Sequence, residues 1–292
     1  MHAVDLSYRP PYDWAAIHGF LAARAIPGIE AAAPGYARTV AIDGRHGTVA
    51  VALEAGDRLR ATIRADAAAL PEIVARLRRV FDCAADPAAI GAGLARDPGL
   101  APLVAARPGL RVPGAWCGFE LGVRAILGQQ VSVAAATRLA GRLVAALGTP
   151  FAGAAQPGLT HVFPGPDAIA SADIAGLLGM PRARGAAIRA LAAASLAEPD
   201  LFAPGQDPAT AAARLTAIRG IGPWTAQYVA MRALRDADAL PVGDIGLMRA
   251  LDAGPGRPSP AQLLARAEAW RPWRAYAAMH LWTADAERSA PA

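Results

Sequence analysis

An aspartate that follows a glycine-closed helical corner is the group in this sequence best placed to do chemistry. The corner is Leu215-Thr216-Ala217-Ile218-Arg219-Gly220-Ile221-Gly222-Pro223-Trp224-Thr225-Ala226, and the acid is Asp244 in Leu240-Pro241-Val242-Gly243-Asp244-Ile245-Gly246-Leu247. A helix ending near Ile218, a turn closed by two glycines and a second helix opened by Pro223 at its first position form the grammar of a helix-hairpin-helix. The glycines permit positive φ and leave the hairpin amides bare, while the second helix turns the positive end of its dipole the same way. Such a corner suits a phosphate of a nucleic-acid backbone. Asp244 precedes Ile-Gly-Leu-Met-Arg, where aspartate is a good helix N-cap worth about 1 kcal/mol. A carboxylate there could equally stabilise positive charge developing on a substrate and orient water. The two roles are compatible, and spacing alone does not choose between them.

The elements that must hold these groups are of two kinds. Residues 1 to about 92 read as α+β. A short strand (Val4 to Tyr8) leads through Pro10-Pro11 into a helix opening near Asp13, with Trp14, Ile17, Phe20 and Leu21 at helical spacing. Tyr36 to Ile42, Thr48 to Leu53 and Arg58 to Arg64 alternate or carry β-branched residues, with turns at Asp43-Gly44 and Gly56-Asp57. An antiparallel sheet with helices on one face follows. A helix over Pro71 to Phe81 places Ile73, Val74, Leu77 and Val80 on one side. Beyond about residue 93 strand signals vanish, and helical segments are joined by Pro/Gly-rich connections at Arg107 to Gly114, Gly148 to Pro166 and Pro199 to Pro208. Phe119 to Gly128 is an apolar helix ending at glycine, so Gln129-Gln130 projects from a helix end or tight turn.

Composition narrows the function classes. The 292 residues are 54% hydrophobic and 18% charged, which suits two or three packed units rather than a disordered chain. The longest uncharged run, Leu143 to Pro166, is broken by glycine and proline, so no membrane span is expected. The first residues show neither a basic start nor an apolar stretch, so no secretory signal is read and a cytoplasmic protein is expected. Net charge is +5, which permits a polyanionic partner without requiring one. All 29 basic residues are arginine. Arginine does not deprotonate at physiological pH, so no side chain can form a Schiff base with a sugar carbon. Cys83 and Cys117 read as buried thiols, and two cysteines cannot hold a four-cysteine iron-sulfur cluster. His2, His18, His46, His161 and His280 form no metal-ligand spacing with them.

The pattern Gly-Ile-Gly-Pro-Trp-Thr-Ala followed by Leu-Pro-x-x-Asp resembles the helix-hairpin-helix DNA glycosylases. Within that superfamily the chain is similar to the bacterial 3-methyladenine-DNA glycosylase II family, of inducible alkylation-repair type. The likeness includes Arg9-Pro10-Pro11-Tyr12-Asp13-Trp14 with Gly19-Phe20-Leu21-Ala22-Ala23-Arg24, and Val123-Arg124-Ala125-Ile126-Leu127-Gly128-Gln129-Gln130-Val131-Ser132. It also includes Leu178-Gly179-Met180-Pro181 and Arg271-Pro272-Trp273-Arg274, all in the family's order. The resemblance implies an α+β domain at 1–92 followed by an all-α, two-lobed core. One helical domain, 118–235, holds the hairpin, and the other, 93–117 plus 236–288, carries Asp244.

It also implies roles. Asp244 is the catalytic carboxylate of N-glycosidic hydrolysis, acting on alkylated purines such as 3-methyladenine or 7-methylguanine everted from double-stranded DNA. Trp224 stands where the glycosylase-lyases place their nucleophilic lysine, so a monofunctional enzyme leaving an abasic site is expected. The pocket wall falls to Phe20, Trp224, Tyr228 and Trp282, a π-lined surface that attracts a cationic base by about 0.5 to 2 kcal/mol. Each of these taken alone reads equally as core packing. Gly220, Ile221, Gly222 and the Thr225 amide would hold phosphates. Relatives bind a monovalent cation on carbonyls that correspond to Thr216, Ile218 and Ile221, so Na⁺ or K⁺ is the one ion expected, with no required cofactor. Gln130 corresponds to the side chain that fills the gap left by the everted nucleotide, or is a solvated glutamine. Arg24 lies near the pocket or on the surface. Ile245 and Thr283 stand where the best-known pattern has tyrosines, which leaves the pocket's width open. A monomer is expected, and a non-catalytic helix-hairpin-helix module that binds damaged DNA is the alternative.

Overall fold

The computed structural model describes residues 1–54, 58–153, 156–252 and 256–289. Five strands, β1 (His2–Asp5), β2 (Glu30–Ala31), β3 (Tyr36–Ile42), β4 (Arg45–Glu54) and β5 (Arg58–Arg64), form one antiparallel sheet in the order β1-β5-β4-β3-β2. The pairing of Tyr36 with Val51 and of Val49 with Ile63 brings Tyr36, Val49, Val51 and Ile63 to one buried face. Onto that face pack α1 (Trp14–Ala22), capped by Asp13, and α2 (Leu70–Val80). The predicted first strand, Val4 to Tyr8, lies nearer the N-terminus. Its ladder on β5 runs from His2 opposite Ile63 to Asp5 opposite Arg60, and the Leu6 N–H then donates to the Leu59 carbonyl. The turn expected at Gly56-Asp57 lies outside the described residues.

Strand β3 is buried on both faces rather than alternating. Its second face is covered by a ribbon of β6 (Thr149–Pro150) and β7 (His161–Val162), onto which Thr39 donates a hydrogen bond to the His161 carbonyl at 2.7 Å. This ribbon corrects the expectation of no strands beyond residue 93. Two residues per strand are too few to show a period of two.

The remainder is helical: α3 (Pro87–Leu94), α4 (Ala101–Ala106), α5 (Gly118–Leu127), α6 (Val133–Leu147), α7 (Pro166–Ser171), α8 (Ile174–Leu178) and α9 (Arg182–Ala197). After these come α10 (Pro208–Ala217), α11 (Pro223–Arg232), α12 (Ile245–Ala250), α13 (Pro260–Ala267) and α14 (Arg274–Ser289). One apolar core joins α5, α6, α8, α9 and the hairpin through Val123, Leu143, Ile188, Leu215 and Val229. A second joins α3, α4, α13 and α14 through Leu94, Leu100, Leu263 and Met279, and it takes Ala230 and Met231 from the far side of α11. Helix α11 is therefore the partition between the two helical cores. Among the described residues no helix is long and apolar enough to cross a membrane.

A buried charge cluster ties the sheet to α5. Arg38 from β3 meets Glu120 at 2.7 Å, and Arg124 bridges Glu30 and Glu120 at 3.0 Å each. Tyr36 donates to Glu30 at 2.6 Å. Burial opposes ionisation of Glu30, but Arg124 and Arg38 outweigh it and hold its carboxyl below the usual range.

Candidate active site and nucleic-acid interface

Trp224, Tyr228 and Arg232 fall at i, i+4 and i+8 of α11 and so share one stripe of its surface. The Trp224 and Tyr228 rings stack at 5.1 Å with planes 10° apart, and Trp282 from α14 meets Tyr228 edge-on at 6.3 Å. Asp244 is N-cap of α12 and accepts the Leu247 N–H at 3.0 Å, as its sequence position suggested. The same carboxylate accepts the indole N–H of Trp282 on Oδ1 at 2.8 Å and that of Trp224 on Oδ2 at 3.0 Å. Three donors from three elements thus fix its orientation, and two of the four aromatics named from the sequence touch it directly. The second Oδ2 lone pair carries no protein donor among the described residues. The carboxylate is half-buried, facing the ring stack rather than a closed interior.

Gly246 supports this geometry and was not singled out in the sequence. A Cβ there would lie 3.0 Å from Asp244 Oδ1 and 3.2 Å from Trp282 Cδ1, so only glycine lets the indole approach without displacement. Ile245 beside it is 59% exposed, leaving this rim apolar and open.

Phe20 reaches the opposite end of the stripe from α1. The Arg232 guanidinium lies 4.8 Å from its ring centroid and that of Arg24 lies 3.7 Å away. Arg232 is buried, donating to the Pro113 and Gly114 carbonyls and, at 2.7 Å, to the Tyr228 hydroxyl. Burial alone would raise the Tyr228 phenol, yet Arg232 and Arg24 overcome it and its pKa falls below the usual tyrosine value. Arg232 escaped the sequence reading. The signal available was its i+4 spacing from Tyr228.

The hairpin has the predicted shape, with one correction. Gly220 adopts φ +90, and its missing Cβ would come 2.3 Å from the Ala187 Cβ, so the turn sits hard against α9. The Ile221 N–H is not bare: it donates to the Ile218 carbonyl at 3.0 Å, closing the turn on itself, while the side chain is buried. Among the described residues no acceptor takes the Gly220, Gly222 or Thr225 N–H, and these three remain for an anion. Thr225 is itself buried, and its hydroxyl accepts from Gln129.

Gln130 lies in the tight turn between α5 and α6, exposed, at φ +59. The preceding Gln129 donates to the Gly220 carbonyl at 3.2 Å and to the Thr225 hydroxyl at 3.4 Å. That tether holds the exposed Gln130 tip beside the hairpin. Val131 and Val133 next to it are also exposed. Arg138, Arg142, Arg182, Arg184, Arg189 and Arg219, from α6, α9 and the hairpin, carry no carboxylate partner among the described residues. Unneutralised arginines gathered on the elements around the hairpin suit a polyanion.

Two groups stand apart from this region. His280 on α14 is buried, and burial together with Arg107 lowers its pKa to about 4, so it is a neutral packing residue. Among the described residues no group of three or more His, Cys, Asp or Glu side chains could hold a metal ion, and Cys83 and Cys117 are free thiols.

The family model for the AlkA N-terminal domain matches residues 3–117, and that for HhH-GPD superfamily base excision DNA repair proteins matches residues 123–275. The chain is 42% identical over 285 residues to a probable bifunctional transcriptional activator/DNA repair enzyme AlkA of Mycobacterium tuberculosis, covering 96% of this chain but 56% of that protein. It is 39% identical over 284 residues to DNA-3-methyladenine glycosylase 2 of Escherichia coli, covering 95% of both. A 3-methyladenine DNA-glycosylase from Archaeoglobus fulgidus shares the fold, with a TM-score of 0.84 at 23% identity over 99% of this chain and 100% of that one. The chain thus spans about half the length of one curated relative and nearly all of another. With an AlkA-type domain leading into a helical core that presents an aspartate to an aromatic stripe, the chain belongs to the HhH-GPD superfamily of base excision DNA repair proteins.

Proposed function

We propose that this protein is a monofunctional DNA glycosylase that everts alkylated purines, such as 3-methyladenine and 7-methylguanine, from double-stranded DNA and hydrolyses their N-glycosidic bond, leaving an abasic site. One observation carries the reading: the Asp244 carboxylate is clamped between the indole N–H groups of Trp224 and Trp282 at the edge of the ring stack. Breaking the glycosidic bond spreads positive charge over the deoxyribose, and a fixed carboxylate stabilises that charge without reorganising. The free Oδ2 lone pair accepts a proton-bearing water and directs it at the sugar carbon. Trp224, Tyr228, Trp282 and Phe20 receive the base, and an alkylated purine that is already cationic leaves with modest help.

DNA is held by the Gly220, Gly222 and Thr225 amides and by the unpaired arginines, while Gln130 enters the stack where the base has left. Its amide pairs with the orphaned partner base as well as filling space. The hairpin carbonyls of Thr216, Ile218 and Ile221 suit Na⁺ or K⁺: all are neutral oxygens, and the Ile218 carbonyl keeps a second lone pair beside the one given to Ile221. Such an ion would add positive charge beside the phosphate. With Trp224 at the nucleophile position and no lysine in the chain, water is the attacking group and no covalent DNA adduct forms. The protein acts as a monomer.

The test is Asp244→Asn incubated with duplex DNA bearing 7-methylguanine. The variant is expected to bind an abasic-site duplex as the parent does and to lose base release by about 100-fold or more, the scale for removing one preorganised electrostatic group. Near-normal release by the variant would leave Asp244 a helix cap and nothing more. Absence of free purine with the parent would favour a non-catalytic DNA-damage binding module. Borohydride trapping of the parent on DNA would contradict the monofunctional reading.

A further inference from the structure

We propose that Tyr228 is a titratable specificity-determining residue: it gives up its phenol proton between Arg24 and Arg232, and the ionised ring favours a cationic purine over a neutral one. The inference rests on the glycosylase reading above and adds to it how the charge of the base is read.

Two positive charges taken out of water converge on one phenol oxygen. Arg232 on α11 is buried; it donates to the Pro113 and Gly114 carbonyls and, at 2.7 Å, to the Tyr228 hydroxyl. Arg24, just beyond α1, is largely desolvated and hydrogen-bonds the same hydroxyl as well as the Phe20 carbonyl. Neither has a carboxylate partner among the described residues. Glu30 and Glu120, which line the same water-sized cavity as the two arginines, are bound to Arg38 and Arg124. Arg124 on α5 adds a third positive charge facing Tyr228, while Trp282 from α14 meets the ring edge without charge. Desolvated cations call for an anion, and the oxygen that both guanidiniums address can become one.

Three other tyrosines supply the contrast. Tyr12 donates to the Phe81 carbonyl, Tyr36 to Glu30 and Tyr276 to Asp82, so each uses its proton, and burial pushes all three above the usual tyrosine value. Tyr228 instead accepts from two guanidiniums, and its O–H meets no acceptor among the described residues. Burial pushes it up as well, yet Arg232 and Arg24 carry it the other way. Ionisation breaks the O–H bond, passes the proton to water and leaves an oxygen that keeps two charge-assisted hydrogen bonds. With a phenol, Arg24, Arg232 and Tyr228 together carry a double positive charge at this end of the stack; with a phenolate they carry a single one. A cationic purine is then repelled less and drawn more strongly by the electron-rich ring, whereas a neutral purine is nearly indifferent. Preference for cationic bases therefore rises with pH.

The experiment titrates the parent from about pH 7 to about pH 10 by tyrosinate absorbance. Over the same range it measures single-turnover release of 7-methylguanine (cationic) and hypoxanthine (neutral) from duplex DNA by the parent and by Tyr228→Phe. One tyrosine of the parent is expected to ionise below the ordinary value of about 10 and to be missing from the variant. The parent's ratio of 7-methylguanine to hypoxanthine release is expected to rise with pH by about threefold to thirtyfold relative to that of Tyr228→Phe, the worth of one cation–π contact. Both proteins act on the same DNA, so the comparison cancels the titration of the bases themselves. Binding to an abasic-site duplex checks that the variant is folded. Replacing Tyr228 by 3-fluorotyrosine, which keeps the ring and ionises more readily, is expected to move the rise to lower pH and serves as the test where Tyr228→Phe does not fold. A parent in which no tyrosine ionises below about 10, or a ratio that runs parallel in parent and variant, overturns the proposal while leaving the glycosylase reading intact. Failure of the parent to release either base overturns both.

Discussion

Gly220→Ala probes the joint between the hairpin corner, proposed above to hold DNA, and the protein body. Two penalties are expected. The residue sits at φ +90, where an L side chain is strained by roughly 1–3 kcal/mol. The added methyl would also fall 2.3 Å from the Ala187 Cβ, against a comfortable carbon separation of about 3.5–4.0 Å. The hairpin or α9 must yield by more than an ångström, an overpacking cost of roughly 1–3 kcal/mol. Together these come to about 2–6 kcal/mol of unfolding free energy, read by urea denaturation. Ala187→Gly separates them. It removes the opposing methyl, leaves the Ala187 Cα at 3.3 Å, and by itself costs about 1 kcal/mol of helix propensity. A double-mutant cycle should therefore return a favourable coupling of about 1–3 kcal/mol, the steric share, with the torsional share unrecovered. Fluorescence anisotropy with an abasic-site duplex should show weakened binding for Gly220→Ala and partial recovery in the double variant. A Gly220→Ala protein as stable as its parent, or a coupling indistinguishable from zero, would refute the close packing of hairpin on α9.

Four further outcomes are expected. Gly246→Ala should reduce base release several-fold, by displacing the Trp282 indole from Asp244, while abasic-site binding is preserved; indole fluorescence should report the displacement. Glu30→Leu leaves Arg38 and Arg124 short of a carboxylate in a buried cluster and should destabilise the fold by about 3–5 kcal/mol in chemical denaturation. Stability should decline as pH falls from about 6.5 to about 4. In that window the unfolded chain protonates His280 and the folded one, with its pKa lowered to about 4, does not, so the His280 contribution is complete above the unfolded pKa. At 1.36 kcal/mol per unit it amounts to about 3 kcal/mol, and His280→Gln should flatten the curve there. Gln129→Ala removes the tether from the α5–α6 turn to Gly220 and should weaken lesion capture more than binding to an abasic site.

What the sequence disclosed is what local chemistry determines. The Asp244 cap, the Pro223 helix start and the Gly220 turn each depend on a handful of adjacent residues, and each appears where expected. Strands β3 and β5 coincide with their predicted spans because β-branched residues run through both and Gly- and Asp-containing sequence flanks them. The reading weakened where partners are distant. Nothing near Ile221 reveals that its amide turns inward to Ile218, since that depends on the turn's dihedrals rather than on residue type. Arg232 reads as an ordinary helix-terminal arginine until the Pro113 and Gly114 carbonyls, more than a hundred residues earlier, are seen to surround it. Glu30 and Arg38 carry no pattern predicting a fully buried cluster, because Glu120 and Arg124 arrive from α5, some eighty or more residues later in the chain. Gly246 was hidden for the same reason: its requirement comes from Trp282, on a different helix.

The ten residues of α11 span about 15 Å, with the hairpin corner at one end and the ring stack along one flank. Its sides are wedged in separate apolar cores, so it behaves as a strut. A shift of the backbone phosphate would therefore reach Trp224 and Tyr228 with little attenuation, and the distance between grip and chemistry is set by helical rise alone. If the hairpin grips a backbone phosphate as proposed, such a ruler would place whichever nucleotide lies at a constant offset from it before the carboxylate, without the protein having to read the neighbouring sequence.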